Sequence, residues 1–352
     1  MISLDGNYGE GGGALIRTAL ALSTLTGKSF EVTNIRAGRP ESGLKAQHLS
    51  AITALKQLCD ARTNEVSIGS EHLTFVPGKI KKGNYRIDIG TAGSISLLLQ
   101  ALILPCLFAP GKITLNIKGG TCGKWQASAH YLQNVLLPQL KRFAENIELK
   151  IIRHGYYPKG SGEVQLIIAP KKNFQELTTP KIILTQQGSL EQVRGIINLS
   201  AELQEKEVAP RIKMSAESPQ KKYRVPINSR IEYTTAPSIG GEIVLWALFS
   251  ANKILDPDNP VILGSDALIE KGKRSEEIGR EAAERLMQEI SSGAAVDHYL
   301  ADQLIPFMGL LPGSEILCSK ISEHTRTNIY VVEKFLKVKF LITGNKIKVE
   351  QA

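Results

Sequence analysis

A short stretch near the end of the chain carries the side chain best suited to chemistry. Residues 322–328 contain His324, which lies between an apolar, strand-like run (316–321) and a helix-like run (329–336). Free N–H groups at a helix start favour a bound anion. A neutral imidazole can attack a phosphorus atom, because its lone pair is free near pH 7. The same position also suits an ordinary capping or surface histidine, so the nucleophile interpretation needs support from the rest of the chain.

A glycine-rich turn near the start of the chain could hold a phosphate group. Residues 9–13 read Gly-Glu-Gly-Gly-Gly and lie between a predicted strand and a predicted helix. Glycines let the backbone approach a phosphate closely and present its N–H groups. Glu10 would repel a bare phosphate, but a carboxylate in such a turn is useful if it holds Mg²⁺ or Mn²⁺. We predict Glu10 as a metal ligand, and a plain tight turn is the alternative.

Basic and amide side chains form a predicted phosphate- or RNA-binding set. Arg36 and Arg39 flank a small-residue turn after the second predicted strand, and two such arginines can hold a phosphate bidentately. Gln47 follows them, and Arg17 lies in the first predicted helix. A solvated loop is the alternative interpretation for the two arginines.

Three further stretches could contribute to one cleft. Residues 90–94 form a second glycine-containing junction between a strand and a helix, and Gln100 lies about two turns into that helix. Tyr299 starts a predicted helix whose apolar residues suit a core, so that Asp302 and Gln303 stand out as polar. The loop 154–163 is rich in aromatic, basic and glycine residues, which suits either a hairpin turn or contact with a nucleic acid.

The elements that must position these residues repeat along the chain. Residues 2–76 predict the order β-α-β-α-β-β, and the same order recurs over residues 85–169. A third copy appears when a middle piece is removed, with its first strand at 181–185, its first helix at 275–290 and later elements at 315–350. An internal repeat of this size implies a duplicated unit packed around a shared core. We therefore predict an α+β fold of three β-α-β-α-β-β units.

The removed piece, residues 187–274, mixes strand-like and helix-like segments between exposed Pro-, Gly- and Lys-rich joints. We predict that it is a smaller inserted α/β domain. The large domain would then comprise residues 1–186 and 275–352.

Composition limits the class of protein. The chain has 352 residues, of which 42% are hydrophobic and 22% charged, as is typical of soluble globular proteins. No apolar run reaches the ~20 residues of a membrane span, no signal peptide is evident, and no membrane partner is expected. The four cysteines show no CxxC spacing, so they indicate neither a zinc site nor a disulfide framework, and a cytoplasmic location fits best. A net charge of +9 suits a nucleic-acid partner, although a solvated lysine surface would give the same value.

Taken together, these stretches resemble the RNA 3′-terminal phosphate cyclase family over nearly the whole chain. Each motif alone is weak, but all of them in this order are specific. The resemblance rests on residues 5–13, 35–39, 90–100, 155–160, 270–273 and 299–303, and on His324 with Thr327 and Asn328.

The resemblance implies three repeated units of the kind shared with enolpyruvyl transferases, a small inserted domain, and an ATP-dependent reaction through an adenylyl-histidine at His324. It also implies that Glu10 lies by the triphosphate and its metal, and that Arg36 and Arg39 bind phosphate groups. The side chain of Tyr299 would stack on adenine. The implied ATP-binding residues are Gln100, Tyr299, Leu300, Ala301, Asp302 and Gln303.

One departure from the family pattern concerns adenine. The family usually has a Gly-Gly-Thr-Asn or Gly-Gly-Thr-Asp stretch followed by prolines, one of which faces the base. Here residues 119–125 read Gly-Gly-Thr-Cys-Gly-Lys-Trp, and Ser128 stands where that proline is expected. The resemblance therefore does not predict how adenine packs on that side.

The implied reaction converts an RNA 3′-terminal phosphate into a 2′,3′-cyclic phosphate with ATP. Two alternatives remain at this stage. Cyclase-like proteins without the adenylylated histidine act in ribosome assembly, which the presence of His324 disfavours. Enolpyruvyl synthases share the repeated unit, but His324 and the basic charge disfavour that chemistry too. The oligomeric state is not predicted.

Overall fold

The computed structural model describes residues 1–90, 92–171, 178–251 and 253–352, so that Thr91 of the second glycine-containing turn lies outside the described residues. The strands are β1 (Ile2–Asp5), β2 (Phe30–Thr33), β3 (Arg62–Thr63), β4 (Leu73–Val76), β5 (Gly83–Asp88), β6 (Ile113–Gly119), β7 (Ala144–Arg153), β8 (Gly162–Pro170), β9 (Ile183–Leu184), β10 (Ser189–Ser200), β11 (Ile227–Thr234), β12 (Gly241–Ser250), β13 (Val261–Leu268), β14 (Glu315–Leu317), β15 (Val338–Thr343) and β16 (Lys346–Gln351). The α-helices are α1 (Gly13–Thr26), α2 (Ala46–Cys59), α3 (Ile95–Cys106), α4 (Ala129–Tyr131), α5 (Leu137–Leu140), α6 (Val208–Gln220), α7 (Ser275–Ser291), α8 (His298–Gly309) and α9 (Glu323–Phe335). Among the described residues, no helix has the length and apolarity needed to cross a membrane.

Three four-stranded sheets share one topology. Their strand orders are β1-β2-β4-β3, β5-β6-β8-β7 and β9-β14-β16-β15. In each sheet the first two strands of the unit are parallel, and the last strand pairs antiparallel with both the second and the third. Parallel neighbours need a crossover connection, and α1, α3 and α8 lie in these crossovers. The predicted α+β fold of repeated β-α units is therefore confirmed.

Helix α1 lies at the centre of the large domain. Every residue from Ala14 to Thr24 is buried, which is expected of a helix that is apolar around most of its circumference. It packs against α3 on one side and α9 on another. The turn that precedes α1 is thereby held close to the two helices that carry Gln100 and His324.

The predicted second helix of the middle repeat, residues 128–144, is interrupted. A π-helical turn (Leu132–Leu136) separates α4 from α5, and a 3₁₀ turn (Lys141–Phe143) leads into β7. Pro138 lies next to the interruption and has no N–H to donate, which explains why regular α-helical hydrogen bonding does not run through this segment.

The inserted unit has its own sheet, in the order β11-β10-β12-β13. Here β12 pairs with β10, so the topology differs from that of the three repeats. One face of the sheet packs on α6 and α7. The other face joins the core of the large domain through Ile196, Val244 and Trp246. The inserted sheet is therefore covered on both faces.

Helix α7 belongs to the inserted unit by its contacts. We predicted residues 275–290 as the first helix of the third repeat, but Ile278, Ala282 and Leu286 are part of the inserted core. Both α7 and α8 lie between β9 and β14 in the chain, but α8 is the one that packs in the large core and supplies the crossover. An amphipathic pattern shows that one face is buried, but it does not show which partner covers that face. By packing, the inserted unit thus extends past residue 274 to the end of α7.

One polar side chain, that of Gln187, joins the two ends of the inserted unit. The Nε2 of Gln187 donates to the carbonyl oxygens of Ile290 at 3.0 Å and Ala294 at 2.9 Å, which brings the entry and exit of the inserted unit together.

Asp297 fixes the start of α8 against both units. Its Oδ1 accepts the N–H groups of Tyr299 (3.0 Å) and Leu300 (2.9 Å) and the Tyr131 hydroxyl (2.6 Å). Its Oδ2 accepts the N–H of Gly264 in β13 at 2.8 Å.

Candidate active site

His324 lies in the first turn of α9. We predicted a longer strand before it and a helix from residue 329, but β14 ends at Leu317 and α9 begins at Glu323. Ser322 caps this earlier start, because its Oγ accepts the N–H of Thr325 at 3.0 Å. The imidazole is 46% exposed and faces a cavity. The predicted junction is thus a helix N-terminus, where backbone N–H groups have no partners within the helix.

The glycine-rich turn brings Glu10 to His324. Gly9 and Gly11 have φ values of 64° and 57°, in the left-handed region that glycine enters without strain. A Cβ on Gly12 would occupy the space of the Glu10 carboxylate. That carboxylate accepts a hydrogen bond from Nη2 of Arg39 at 3.0 Å through Oε2, and its Oε1 is in ion-pair contact with Nδ1 of His324.

This contact sets the protonation of both partners. It raises the pKa of His324 above its usual 6.5, although partial burial acts in the opposite direction. Burial alone would raise the pKa of Glu10, but the contact with His324 and the charge of Arg39 outweigh it and lower that pKa. When the imidazole is neutral, its proton stays on Nδ1 beside the carboxylate. The lone pair is then on Nε2.

Arg36 and Arg39 lie beside this pair with unsatisfied donors. The Nε atom of each is buried and has no hydrogen-bond partner. Burial, and after it the charge of Arg39, lowers the pKa of Arg36. A bound anion would satisfy both donors and relieve the repulsion between the two guanidinium groups.

Arg17 and Gln100 form a part-buried pair in the cavity wall. The Nε of Arg17 donates to Oε1 of Gln100 at 2.8 Å, which joins α1 to α3. Burial lowers the pKa of Arg17 to about 10, while the charges of Asp302 and Glu10 partly offset this. Arg17 remains a cation at neutral pH, so it adds positive charge to the wall.

The predicted ATP-binding segment divides between cavity and core. Tyr299, Asp302 and Gln303 line the cavity. Leu300 and Ala301 are fully buried in the hydrophobic core, so the structure does not bring these two side chains to the wall. Successive residues of a helix point in different directions, and only one face of α8 can reach the cavity.

Two hydrogen bonds link the helices α1, α8 and α9, which carry residues of the site. The hydroxyl of Thr18 in α1 donates to Oδ1 of Asn328 in α9 at 2.7 Å. The Nδ2 of Asn328 donates to the backbone oxygen of Asp302 in α8 at 2.8 Å. Burial raises the pKa of the Asp302 carboxyl to about 7, partly offset by His324 and Arg17.

The cavity has a volume of about 1320 Å³, which exceeds the ~300–1,000 Å³ of an ordinary small-molecule pocket. The inserted unit forms one wall of the cavity, with Gly240, Ile269 and Lys271. The sequence-predicted residues that line the cavity are Glu10, Arg17, Arg36, Arg39, Gln47, Gln100, Tyr299, Asp302, Gln303 and His324.

A sequence model described as RNA 3′-terminal phosphate cyclase matches residues 8–342. The chain belongs to the RNA 3′-terminal phosphate cyclase family. It is 39% identical over 357 residues to a protein of Methanopyrus kandleri named RNA 3′-terminal phosphate cyclase, with 98% of this chain and 96% of that relative covered. Relatives with the same name from Pyrococcus furiosus (40% identical over 347 residues, 98% and 96% covered) and Archaeoglobus fulgidus (39% over 351 residues, 99% of both covered) are also similar. The family resemblance predicted from the motifs is confirmed.

In this family member, Glu10 is the residue that would hold a divalent cation near the phosphates. Mg²⁺ needs only one or two protein carboxylates when substrate phosphates and waters complete its shell. Within the described residues, Glu10 is not part of a group of three or more His, Cys, Asp or Glu ligands. The residues therefore fit an ion bridged to a substrate phosphate rather than one enclosed by protein.

Ser128, which stands where the family pattern has a proline, has a structural role. Ser128 is buried and caps α4 by accepting the N–H of Tyr131 at 3.2 Å, while its neighbour Ala127 lines the cavity. The side chain at position 128 is therefore used at the start of α4.

Two aromatic residues on the cavity wall are strongly exposed. Trp125 is 95% exposed and has a φ of 62°, and Tyr157 is 80% exposed. Sequence analysis recognised the loop around Tyr157 but not Trp125, although a tryptophan within a Gly-Lys-Trp-Gln turn was a visible signal. In the same loop, His154 and Tyr156 are buried.

Proposed function

We propose that this chain uses ATP to convert the 3′-terminal phosphate of an RNA into a 2′,3′-cyclic phosphate, with His324 as the nucleophile. The observation that carries the proposal is the contact between Nδ1 of His324 and Glu10. It leaves Nε2 as the attacking atom, in a cavity whose arginines have unsatisfied donors.

The reaction would proceed in three displacements at phosphorus. Nε2 of His324 attacks the α-phosphorus of ATP, a P–N bond forms, and pyrophosphate leaves. An oxygen of the RNA 3′-phosphate then attacks the same phosphorus and takes AMP from the histidine. Finally the adjacent 2′-hydroxyl attacks the activated 3′-phosphorus, loses its proton, and expels AMP. Positioning suffices for much of the last step, since the hydroxyl is already on the neighbouring carbon.

The protein's contribution would be largely electrostatic. Arg36, Arg39 and Arg17 offset the negative charge of the phosphoryl oxygens, which is the main task in phosphoryl transfer. Tyr299 offers a ring for the adenine base. A Mg²⁺ ion near Glu10 would supply further charge stabilisation at the triphosphate.

Incubation with ATP labelled at the α-phosphate tests the nucleophile. Wild-type protein should retain acid-labile label after denaturation, and the His324→Asn variant should retain none while still binding ATP. An exposed histidine far from the cavity, altered in His72→Asn, is the matched control and should label normally. If wild type retains no label, a non-catalytic role in RNA processing or an unrelated transfer reaction becomes the better explanation. If His324→Asn retains it, another residue is the nucleophile.

A second experiment tests the acceptor separately. The 3′-phosphate is needed for AMP transfer, whereas the 2′-hydroxyl is needed only for ring closure. An oligonucleotide with a 3′-phosphate on a 2′-deoxy terminal sugar should therefore accept AMP and stop there. The matched ribose-ended strand should proceed to the cyclic phosphate, and mass spectrometry distinguishes the products. If neither strand gains AMP while the protein does, the acceptor is a different group.

A further inference from the structure

A second cluster of ligand-type side chains lies outside the cavity, where the large domain meets the inserted unit. It comprises His130 in α4, His154 between β7 and β8, and Glu232 in β11. One nitrogen or oxygen from each lies within 4.8 Å of the others. Across residues 1–90, 92–171, 178–251 and 253–352, it is the one group of three or more His, Cys, Asp or Glu with this proximity. None of the three lines the cavity.

The separations between these atoms suit a small tetrahedral ion. The Nε2 atoms of His130 and His154 are 3.0 Å apart, and Nε2 of His130 is 3.8 Å from Oε2 of Glu232. A zinc ion with ligands at about 2.0–2.1 Å places neighbouring ligand atoms about 3.3 Å apart. The two measured separations lie on either side of that value. The third pair, His154 and Glu232, is no more than 4.8 Å apart, so a modest movement of the partly exposed Glu232 side chain would complete the set.

The two buried histidines pair with each other, and one ring nitrogen of the pair has no hydrogen-bond partner. Both are buried, at 3% and 8% exposed, and burial favours a neutral imidazole. With Nε2 facing Nε2, one ring must donate to the other, and Nδ1 of His130 has no hydrogen-bond partner. A cation between the rings would accept both Nε2 lone pairs at once. Two imidazole nitrogens and one carboxylate match the preference of Zn²⁺ rather than Mg²⁺.

A neighbouring side chain orients the carboxylate of this set. At His154, Nδ1 lies 3.4 Å from Nδ2 of Asn198, whose Oδ1 accepts the Tyr156 hydroxyl. Arg230 holds Oε1 of Glu232 at 2.6 Å, so that Oε2 is the oxygen turned toward His130. Groups that fix a ligand's rotamer in this way raise metal affinity. The Glu232 side chain is 32% exposed, which leaves a path for the ion and room for a water.

We propose that His130, His154 and Glu232 bind one Zn²⁺ ion, with water as a fourth ligand, and that the ion fastens the inserted unit to the large domain. Two ligands come from the large domain and the third comes from β11 of the inserted unit. The site uses no cysteine and no short motif, since its histidines are 24 residues apart and the carboxylate lies in another unit. It is independent of the reaction proposed for the cavity.

The test is zinc binding by the full chain after removal of metals with a chelator. Wild type should take up one Zn²⁺ per chain, measured by elemental analysis after gel filtration, and its thermal unfolding midpoint should rise. Co²⁺ should give the visible absorption of a tetrahedral site with nitrogen and oxygen ligands. Glu232→Gln keeps the side-chain size but should weaken zinc at least ~10-fold, since even loss of an orienting neighbour costs 10–100-fold. His154→Ala should abolish binding.

Two controls separate this site from other binding. Glu163→Gln removes a carboxylate that also pairs with an arginine on its sheet, at 2.6 Å from Arg153, and should bind zinc as wild type does. His324→Asn should also keep the zinc, because the cavity histidine is not a ligand. The proposal is overturned if wild type takes up no zinc, if Glu232→Gln binds with unchanged affinity, or if His324→Asn loses the ion.

Discussion

Replacement of Glu10 by alanine separates two roles for this carboxylate. Glu10 contacts Nδ1 of His324 in the cavity and is also the metal ligand that we propose. Loss of a charge-assisted hydrogen bond costs about 1.5–3 kcal/mol in a shielded site. Because His324 is 46% exposed, water screens the pair and we expect a smaller loss, about 1–2 kcal/mol. That corresponds to a roughly 5–30-fold slower adenylylation of His324.

The rate of His324 adenylylation should depend on pH differently in wild type and in Glu10→Ala. The contact with Glu10 raises the pKa of His324, and only the neutral imidazole can attack. In wild type the rate should therefore rise with pH through a value above 6.5. In Glu10→Ala the protonated imidazole of His324 loses the carboxylate that stabilises it. The rise in rate should therefore occur at lower pH, and the maximal rate at high pH should be lower than in wild type.

The assay is single-turnover formation of adenylylated protein across a pH series at saturating Mg²⁺. If Glu10 acts only as a metal ligand, raising Mg²⁺ should restore the rate and the pH limb should not move. The matched control is Glu323→Ala, which removes an exposed carboxylate next to His324 in the same helix turn. A Glu10→Ala protein with the wild-type rate and pH profile would refute both roles.

The remaining predictions concern the anion-binding wall, the cavity mouth and the joint between units. Replacement of Arg36 or Arg39 by glutamine should lower the log–log salt slope of RNA binding by about one unit per lost phosphate contact, measured by fluorescence anisotropy. Trp125→Ala should leave thermal stability unchanged, since the ring is 95% exposed, yet weaken RNA binding by about 1–3 kcal/mol if a base stacks on it. Asp297→Ala should lower the free energy of unfolding by about 3–5 kcal/mol, because a helix cap is lost and two buried donors lose their acceptor. Tyr131→Phe removes only one of these hydrogen bonds and should lower it by about 1–2 kcal/mol, measured by urea unfolding.

The repeats and the cavity residues could be predicted because their signals are local. Apolar periodicity and glycine-containing turns mark the first two strand-to-helix junctions, which carry Glu10 and Gln100. In the third repeat the first helix was assigned to residues 275–290, whereas Tyr299 lies in the next helix, α8. The side chains of Leu300 and Ala301 were assigned to ATP with their neighbours. Their burial follows from the direction of each residue on α8, which depends on how that helix packs.

Features that depend on long-range packing could not be predicted. The apolar face of α7 is clear in the sequence, but its partner α6 lies about 60 residues earlier, and only the folded chain shows that the two pack together. Long-range packing also brings the rings of His130 and His154 together. Each is an isolated histidine in sequence, and their Nε2 atoms meet only because α4 and the end of β7 adjoin.

The bridge made by Gln187 bears on the order in which the chain folds. Strands β9 and β14 pair across about 130 residues, a costly loop to close from an open chain. Once the inserted unit has formed and Gln187 has joined its ends, the effective loop shrinks to about 30 residues. The saving in closure entropy is about 1.3 kcal/mol, or roughly tenfold in the chance of pairing. The inserted unit should therefore gain its structure before the third repeat, and the cavity, which needs α8 and α9 of that repeat, should be the last part of the molecule to assemble.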